Sequence, residues 1–298
     1  MNLAPIVLFV YNRLEHTKKT IYALKVNQFV SDSLLYIYSD GNKNQKDKNS
    51  VEEVRKYISS ISGFKEVKIT LREKNLGLVD SVITGVSEVI EKFGKAIVLE
   101  DDIVTSPNFL KFMNEALDFY EKDEKIYSIS GYNFPIQIPK SYKHQIYISP
   151  RPSSWGWATW KDRWEKVTWN VYGDTLFKDK KSLNSLLDKA GNDLAPMFLK
   201  SVEGRISSWA VKFAYTQIKN NVYCLYPTKS LTKNIGADAT GTNFIRSTKK
   251  YNVEIEPDVQ QFNFSHNLEL NDRIIEQIRK LVRPGIFSYL KYRLFNLY

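Results

Sequence analysis

Three consecutive carboxylates, Glu100, Asp101 and Asp102, follow the apolar run "AIVL" and precede a second apolar stretch in "FGKAIVLEDDIVTSPNFLKFM". Side chains alternate faces along a strand, so Glu100 and Asp102 are expected on one side and Asp101 on the other. Acids this close repel one another unless a cation joins them. Mg2+ and Mn2+ are hard ions that take one or two carboxylates and complete their shell with water and substrate phosphates. A cation between Asp102 and a diphosphate would stabilise a departing phosphate as a Lewis acid. The plainer alternative is a strand-end turn whose acids cap the next helix, and spacing leaves both open.

The elements that must place these acids alternate along the first half of the chain. "PIVLFV" (Pro5–Val10), "LLYIYS" (Leu34–Ser39), "KEVKITL" ending at Leu71 and "KAIVLE" (Lys95–Glu100) read as strands. Between them lie helical patterns at Glu15–Asn27, at Ser50–Ile61 with a Ser50/Glu53 capping box, and at Leu78–Phe93. A further helix follows with Ser106 as N-cap and Pro107 at its first position. This alternation predicts βαβ units and a mainly parallel sheet, covered on both faces where "AIVL" is continuously apolar. Ligands of such sheets bind beyond the carboxyl ends of the strands. Tyr11–Arg13, Asp40 and Glu100–Asp102 all fall at that rim.

The series "PIVLFVYNR", "YIYSDG", "KNLGLVDSVITGV" and "IVLEDDIVTSPNFLKFMNEAL" resembles the nucleotide-sugar glycosyltransferases of the GT-A fold, over roughly Pro5 to Gly131. It is similar to the N-acetylglucosaminyltransferase I branch and related bacterial polysaccharide enzymes. The resemblance implies a Rossmann-like sheet whose nucleotide-sugar half spans 1–125. An acceptor half of the same domain would span 126–268, followed by a basic amphipathic segment, 269–298. It implies Mn2+ or Mg2+ held chiefly by Asp102, with Glu100 and Asp101 supporting the sugar, the ribose or the metal's waters. Arg13 would hold the nucleotide, Asp40 would read uracil, and the loop carrying Arg72, Asn75 and Gly77 would lie against the donor. The plainer readings are a surface ion pair of Arg13 with Glu15 or another acid, an Asp40-Gly41 turn, and glycine and asparagine that only shape a loop.

Inverting transfer needs a carboxylate to take the acceptor's proton. Similar sequences carry it beside a tryptophan at a helix start, but Trp209 in "EGRISSWAVKF" is flanked by Ser208 and Ala210. Glu203 and Asp238 are the remaining candidate bases. The loop Gly236–Thr242 resembles the family's segment that closes over donor sugar. Trp155 and Gly156 are expected at the acceptor site. Trp157, Trp160 and Trp164, spaced i, i+3, i+7, are expected on one buried helix face. His16, His144 and His266 have no metal spacing, and none is assigned to catalysis.

With 43% hydrophobic and 13% aromatic residues the chain can bury a substantial core, which excludes disorder as the default. The one cysteine, Cys224, excludes an intramolecular disulfide and a multi-thiolate metal site, and fits a buried strand position and a reducing, cytoplasmic setting. The opening apolar run is too short to span a bilayer and reads poorly as a signal peptide. A net charge of +10 suits anionic partners, yet no zinc-finger or RNA-binding signature is present, so no nucleic acid is expected. The C-terminal "IIEQIRKLVRPGIFSYLKYRLFNLY" reads as two short basic helices that lie either on an anionic membrane surface or on the domain.

The expected activity is metal-dependent, inverting transfer of a hexosyl or N-acetylhexosaminyl group from a UDP-sugar. The acceptor would be a glycan or lipid-linked saccharide, in capsule or lipopolysaccharide synthesis at the inner face of the cell membrane. Two alternatives stay open. A sugar-phosphate nucleotidyltransferase would need a glycine-rich phosphate loop, which "VYNRLEHTKK" lacks. A basic binding protein for nucleic acid or acidic glycan leaves the acid cluster unexplained.

Overall fold

Apolar residues on every position of β1 (Ile6–Val10) put it at the centre of a sheet buried on both faces. A computed structural model describes residues 2–171, 179–238, 248–255 and 261–285. In it β1 is flanked by parallel β2 (Leu34–Ser39) and β4 (Lys95–Glu100), and β3 (Glu66–Leu71) pairs parallel with β2. Beyond β4 the sheet continues through β8 (Trp157–Trp160), β6 (Ile126–Ser130), β9 (Tyr223–Pro227) and β7 (Ile146–Ser149), in the order β3-β2-β1-β4-β8-β6-β9-β7. Only β8 and β7 run against the rest. The mainly parallel α/β sheet flanked by helices is therefore as expected.

Alternate residues of β1 feed two cores. Ile6, Leu8 and Val10 pack with Ile21 and Leu24 of α1 (Leu14–Lys25), Val54 and Ile58 of α2 (Lys48–Ile58), and Phe112 and Leu117 of α4 (Phe109–Phe119). Val7 and Phe9 pack on the other face with Val82, Val86 and Ile90 of α3 (Gly77–Phe93) and with Trp209 and Phe213. At Gly85 the close approach of α3 leaves no room for a side chain, since a Cβ would come within 2.8 Å of the Phe9 ring. The remaining α-helices among the described residues are α5 (Lys161–Trp164), α6 (Lys180–Leu187), α7 (Leu194–Val202), α8 (Trp209–Lys219) and α9 (Asp272–Val282).

Several local expectations are corrected. Trp157 and Trp160 lie on a strand, not a helix; Trp157 faces one core, against Trp209 at 4.7 Å, and Trp160 faces the other. The burial expected of them holds, while the period does not. The Ser50/Glu53 capping box does not form. Asn44 caps a short 3-10 turn, α2 starts at Lys48, and Ser50 Oγ donates to the Asp47 carbonyl at 2.9 Å. Ser106 Oγ accepts from Asn108 N at 3.3 Å as a cap should, but regular helix begins at Phe109. Cys224 is buried in β9.

The first C-terminal helix turns its apolar face inward. Ile274, Ile278 and Val282 of α9 are buried with Tyr132, Phe134, Tyr147 and Tyr226, while Arg273, Arg279 and Lys280 face solvent. That face is not available to a bilayer, and residues 286–298 lie outside the described residues. No helix among the described residues is long and apolar enough to cross a membrane.

Candidate active site

The chain leaves β1 toward β2 and β3 on one side and returns to β4 on the other, so the order reverses between β1 and β4. The crevice at the carboxyl ends of the strands beside such a reversal is where open α/β sheets bind ligands. Arg13 stands on one lip and Glu100–Asp102 on the other. Arg13 Nη2 donates to Asp101 Oδ1 and, at 2.7 Å, to Asp102 Oδ2. Glu15 instead pairs with Lys18, so of the plainer alternative, an ion pair with Glu15 or another acid, it is the pair with other acids that forms, at a largely buried position. Because one guanidinium reaches both aspartates, Asp101 and Asp102 share a side; the strand alternation expected for them ends at Glu100, and the next two residues form a turn.

Among the described residues Arg13 is the one cation bonded to these acids. Burial works against the Arg13 charge, but Asp101 and Asp102 outweigh it and hold the guanidinium above its ordinary range. Burial pushes the Asp101 carboxyl up to about 6 despite Arg13. Glu100 is pushed up to about 8, by burial first and then by Asp102 and Asp101. The guanidinium gains from this arrangement, whereas the carboxylates remain under-compensated.

A second small sheet closes the crevice. β5 (Ile103–Thr105) pairs antiparallel with β10 (Thr232–Asn234), setting Asn234 opposite Ile103. The chain then crosses the acids. Ile235 N donates to the Asp102 carbonyl at 2.9 Å, and Asn234 Nδ2 reaches Asp102 Oδ1 at 3.5 Å. Gly236 packs so tightly that a Cβ would stand 2.0 Å from Asp102 Oδ2 and 2.8 Å from Arg13 Nη1. Two residues on, Asp238 Oδ2 meets His16 Nε2 at 3.1 Å. Of the loop expected to close over donor, Gly236–Asp238 thus lies on the acids, and residues 239–242 fall outside the described residues.

Arg13 Nη1 is buried without a hydrogen-bond partner among the described residues. An orphaned charged donor at a sheet-switch crevice is a place prepared for an anionic oxygen. Among the described residues, no three His, Cys, Asp or Glu side chains converge as a metal-binding group. A hard cation that draws most of its shell from water and phosphate does not need three. The oxygen donors of Asp102, with Asp101 and Glu100 beside it, fit such an ion completed by a diphosphate.

The other expected residues divide around this centre. Asp40 follows β2 and is buried, but its carboxylate already accepts from Gly41 N at 3.2 Å, Leu76 N at 2.9 Å and Gly77 N at 2.9 Å. Those bonds claim the first amides of α3, and a uracil imide would have to compete with them. Asn75 Nδ2 donates to the Gly41 carbonyl at 2.7 Å and shapes the same loop. Gly77, at φ +77°, supplies the turn into α3. Arg72 lies over the Tyr38 ring and donates to Ser81 and Thr84, which ties it to α3 and away from the acids. Glu203 ends α7, exposed and paired with Arg205, with no hydrogen bond or ion pair to the acid cluster among the described residues.

Trp155 and Gly156 sit next to the closing strand. Thr232 Oγ1 donates to the Trp155 carbonyl at 2.7 Å, and the Trp155 ring packs against Tyr132 and Tyr251. A Cβ at Gly156 would meet Thr232 at 2.8 Å, so this glycine is needed for packing.

Sequence reasoning missed His16 and Arg55. His16 lies one helical turn beyond Arg13, an i, i+3 spacing that puts both on one rim and that was the available signal. Arg55 of α2 ties together the ends of β2 and β3: Nη2 donates to the Arg72 carbonyl at 2.6 Å and the Asp40 carbonyl at 3.2 Å, and Nε to Ser39 Oγ at 3.2 Å. Arg55→Ala leaves those carbonyls without a partner. It is expected to lower unfolding free energy by about 1–3 kcal/mol in urea denaturation; an unchanged midpoint would show that water serves them equally well.

No family model matches the chain, and no curated protein matches it. Among solved structures, it is similar to the mannosyltransferase PcManGT from Pyrobaculum calidifontis in complex with GDP-Man and Mn2+. That likeness has 9% identity and a TM-score of 0.41, over 74% of this chain and 69% of that one. It is also similar to S. aureus TarS, at 12% identity and TM-score 0.40, over 76% of this chain but only 36% of that one. The form of TarS spanning 1–349 in complex with UDP-GlcNAc matches at 12% identity and TM-score 0.40, over 76% and 57%. At these scores neither likeness carries an argument about this chain.

Proposed function

We propose that this protein transfers a sugar from a nucleoside diphosphate sugar to a saccharide acceptor, with a divalent cation held by Asp102. The observation that carries this reading is the side-chain cluster at the switch point between β1 and β4. Three crowded acids lie there beside Arg13, which bonds two of them, and among the described residues its buried Nη1 has no partner. Such a site offers a cation to phosphate oxygens and a charged donor beside them. A purely structural turn has no use for the third acid or the orphaned donor.

The chemistry a cation on Asp102 supplies is neutralisation of charge building on the departing diphosphate. Arg13, anchored through Nη2, aims Nη1 at a phosphate oxygen without losing its own orientation. The segment 234–238 rests on Asp102 through Gly236, so it must lift to admit a donor and settle again to exclude water. Asp238, carried two residues beyond Gly236, is the candidate base of this reading; Glu203 is committed elsewhere. A base on the acceptor side implies direct displacement and inversion at the anomeric carbon. UDP is the first nucleotide to test, and a glycan or lipid-linked saccharide of surface polysaccharide synthesis is the proposed acceptor class.

Calorimetric titration with UDP and GDP, each with and without Mn2+, tests the reading on the unmodified chain. Binding that appears only with Mn2+ is the expected result. Heat from neither nucleotide under either condition would remove the basis for a nucleotide-sugar donor.

A further inference from the structure

We infer that His16 is a positioning residue that holds Asp238 as the general base of transfer. The inference rests on the donor reading above and adds to it the residue pair that handles the proton. His16 Nε2 and Asp238 Oδ2 lie 3.1 Å apart, between residues 222 positions apart in the chain. The contact is produced by the β5–β10 pairing, which delivers residues 234–238 to the start of α1. It is not a by-product of local sequence.

The His16 side chain is 14% exposed and the Asp238 side chain 43%. The imidazole is therefore held within the protein, and the carboxylate is the more exposed member of the pair. An ionised carboxylate only accepts, so its partner Nε2 carries the hydrogen. One Nε2–H fixed by α1 sets the direction of Asp238 in the way an orienting group sets a general base. Asp238 is also tied to the cation-holding acid by two residues of chain, because Gly236 packs directly on Asp102 Oδ2.

The step balances. The acceptor oxygen forms a bond to the anomeric carbon. The bond from that carbon to the phosphate oxygen breaks, with the electron pair leaving on the diphosphate. The acceptor's hydroxyl proton passes to the Asp238 carboxylate. His16 makes and breaks no bond; it keeps the carboxylate in line.

Hydrolysis by water of UDP-glucose, UDP-N-acetylglucosamine, UDP-galactose and GDP-mannose, with Mn2+, tests this on the full chain. Asp238→Asn is expected to lower kcat by about 10²-fold and His16→Ala by about tenfold. Donor KM should stay within about twofold in both, since neither residue holds the nucleotide. The double variant should be no slower than Asp238→Asn alone, because the pair acts as a unit. His16→Gln, whose side-chain amide can still donate, should recover most of the rate; a merely structural histidine would show no such rescue.

Three results overturn the inference while leaving the donor reading intact: hydrolysis that needs Asp102 but is indifferent to His16→Ala, losses that add in the double variant, or a raised KM with kcat unchanged. Absence of both nucleotide binding and hydrolysis overturns the donor reading and takes the inference with it. A second measurement does not depend on turnover. Ring-nitrogen NMR of the three histidines should show a protonated His16 Nε2 that shifts on Asp238→Asn, and a His16 ring blind to that substitution also overturns the pairing.

Discussion

Asp102→Asn is expected to weaken Mn2+-dependent binding of a nucleoside diphosphate by at least about 10²-fold, because even outer partners of a metal site cost 10–100-fold when changed. The same variant should melt no lower than the parent in the absence of metal. The asparagine keeps the size of the side chain and can still accept from Arg13 through its amide oxygen. What it removes is one of three neighbouring negative charges, two of which already sit above their ordinary range partly because of Asp102. Relief of that repulsion opposes the loss of the charged pair with Arg13. A site kept for its ligand behaves in this way, with function falling while metal-free stability holds. A strand-end turn behaves in the opposite way, with stability falling and nucleotide binding absent throughout. Calorimetry and thermal unfolding on the same samples separate the two outcomes.

The strands that carry the site were legible because their signal is local. "LLYIYS" and "KAIVLE" match β2 and β4 residue for residue, since continuous apolar runs bounded by turns admit few other placements. The position of Arg13, Asp40 and Glu100–Asp102 on one rim followed from those strands alone. What was not legible is non-local. β10 is three residues long and pairs with an equally short strand far earlier in the chain, so no periodicity announces it. Yet it is β10 that brings Gly236 onto Asp102 and Asp238 to His16. The tryptophans misled in an instructive way. Their i, i+3, i+7 spacing fits a helix face, but β8 is inserted antiparallel between β4 and β6, and burial on both faces of a sheet places tryptophans on either side. Asp40 was placed correctly in space, while its partners, the amides opening α3, emerged only once both loops were folded together.

Removing Arg13 should cost the fold more than any other single change at this rim. Arg13→Ala leaves Asp101 and Asp102 buried and crowded with no cation, and breaking a buried pair from one side costs about 3 kcal/mol or more. The loss should depend on pH, with a sign fixed by the acids. In the fold, burial pushes the Asp101 and Glu100 carboxyls up, to about 6 and about 8 from ordinary values of 3.8 and 4.5. Between roughly pH 4 and pH 8 the folded chain therefore holds protons that the unfolded chain has released, and stability falls as pH rises through that window. Arg13 pulls both values down. Without it they rise further, so these two acids add little to the gap between variant and parent at pH 5, where both stay protonated in either protein, and add more as pH rises to 8. Urea denaturation of both proteins at the two pH values should show the gap widening upward. A gap of constant size would mean that Arg13 stabilises the chain through its packing and not through the acids. Mn2+ at pH 8 should narrow the gap, because a cation on Asp102 supplies the charge that Arg13 no longer does; if it does not, the acids are not holding the ion.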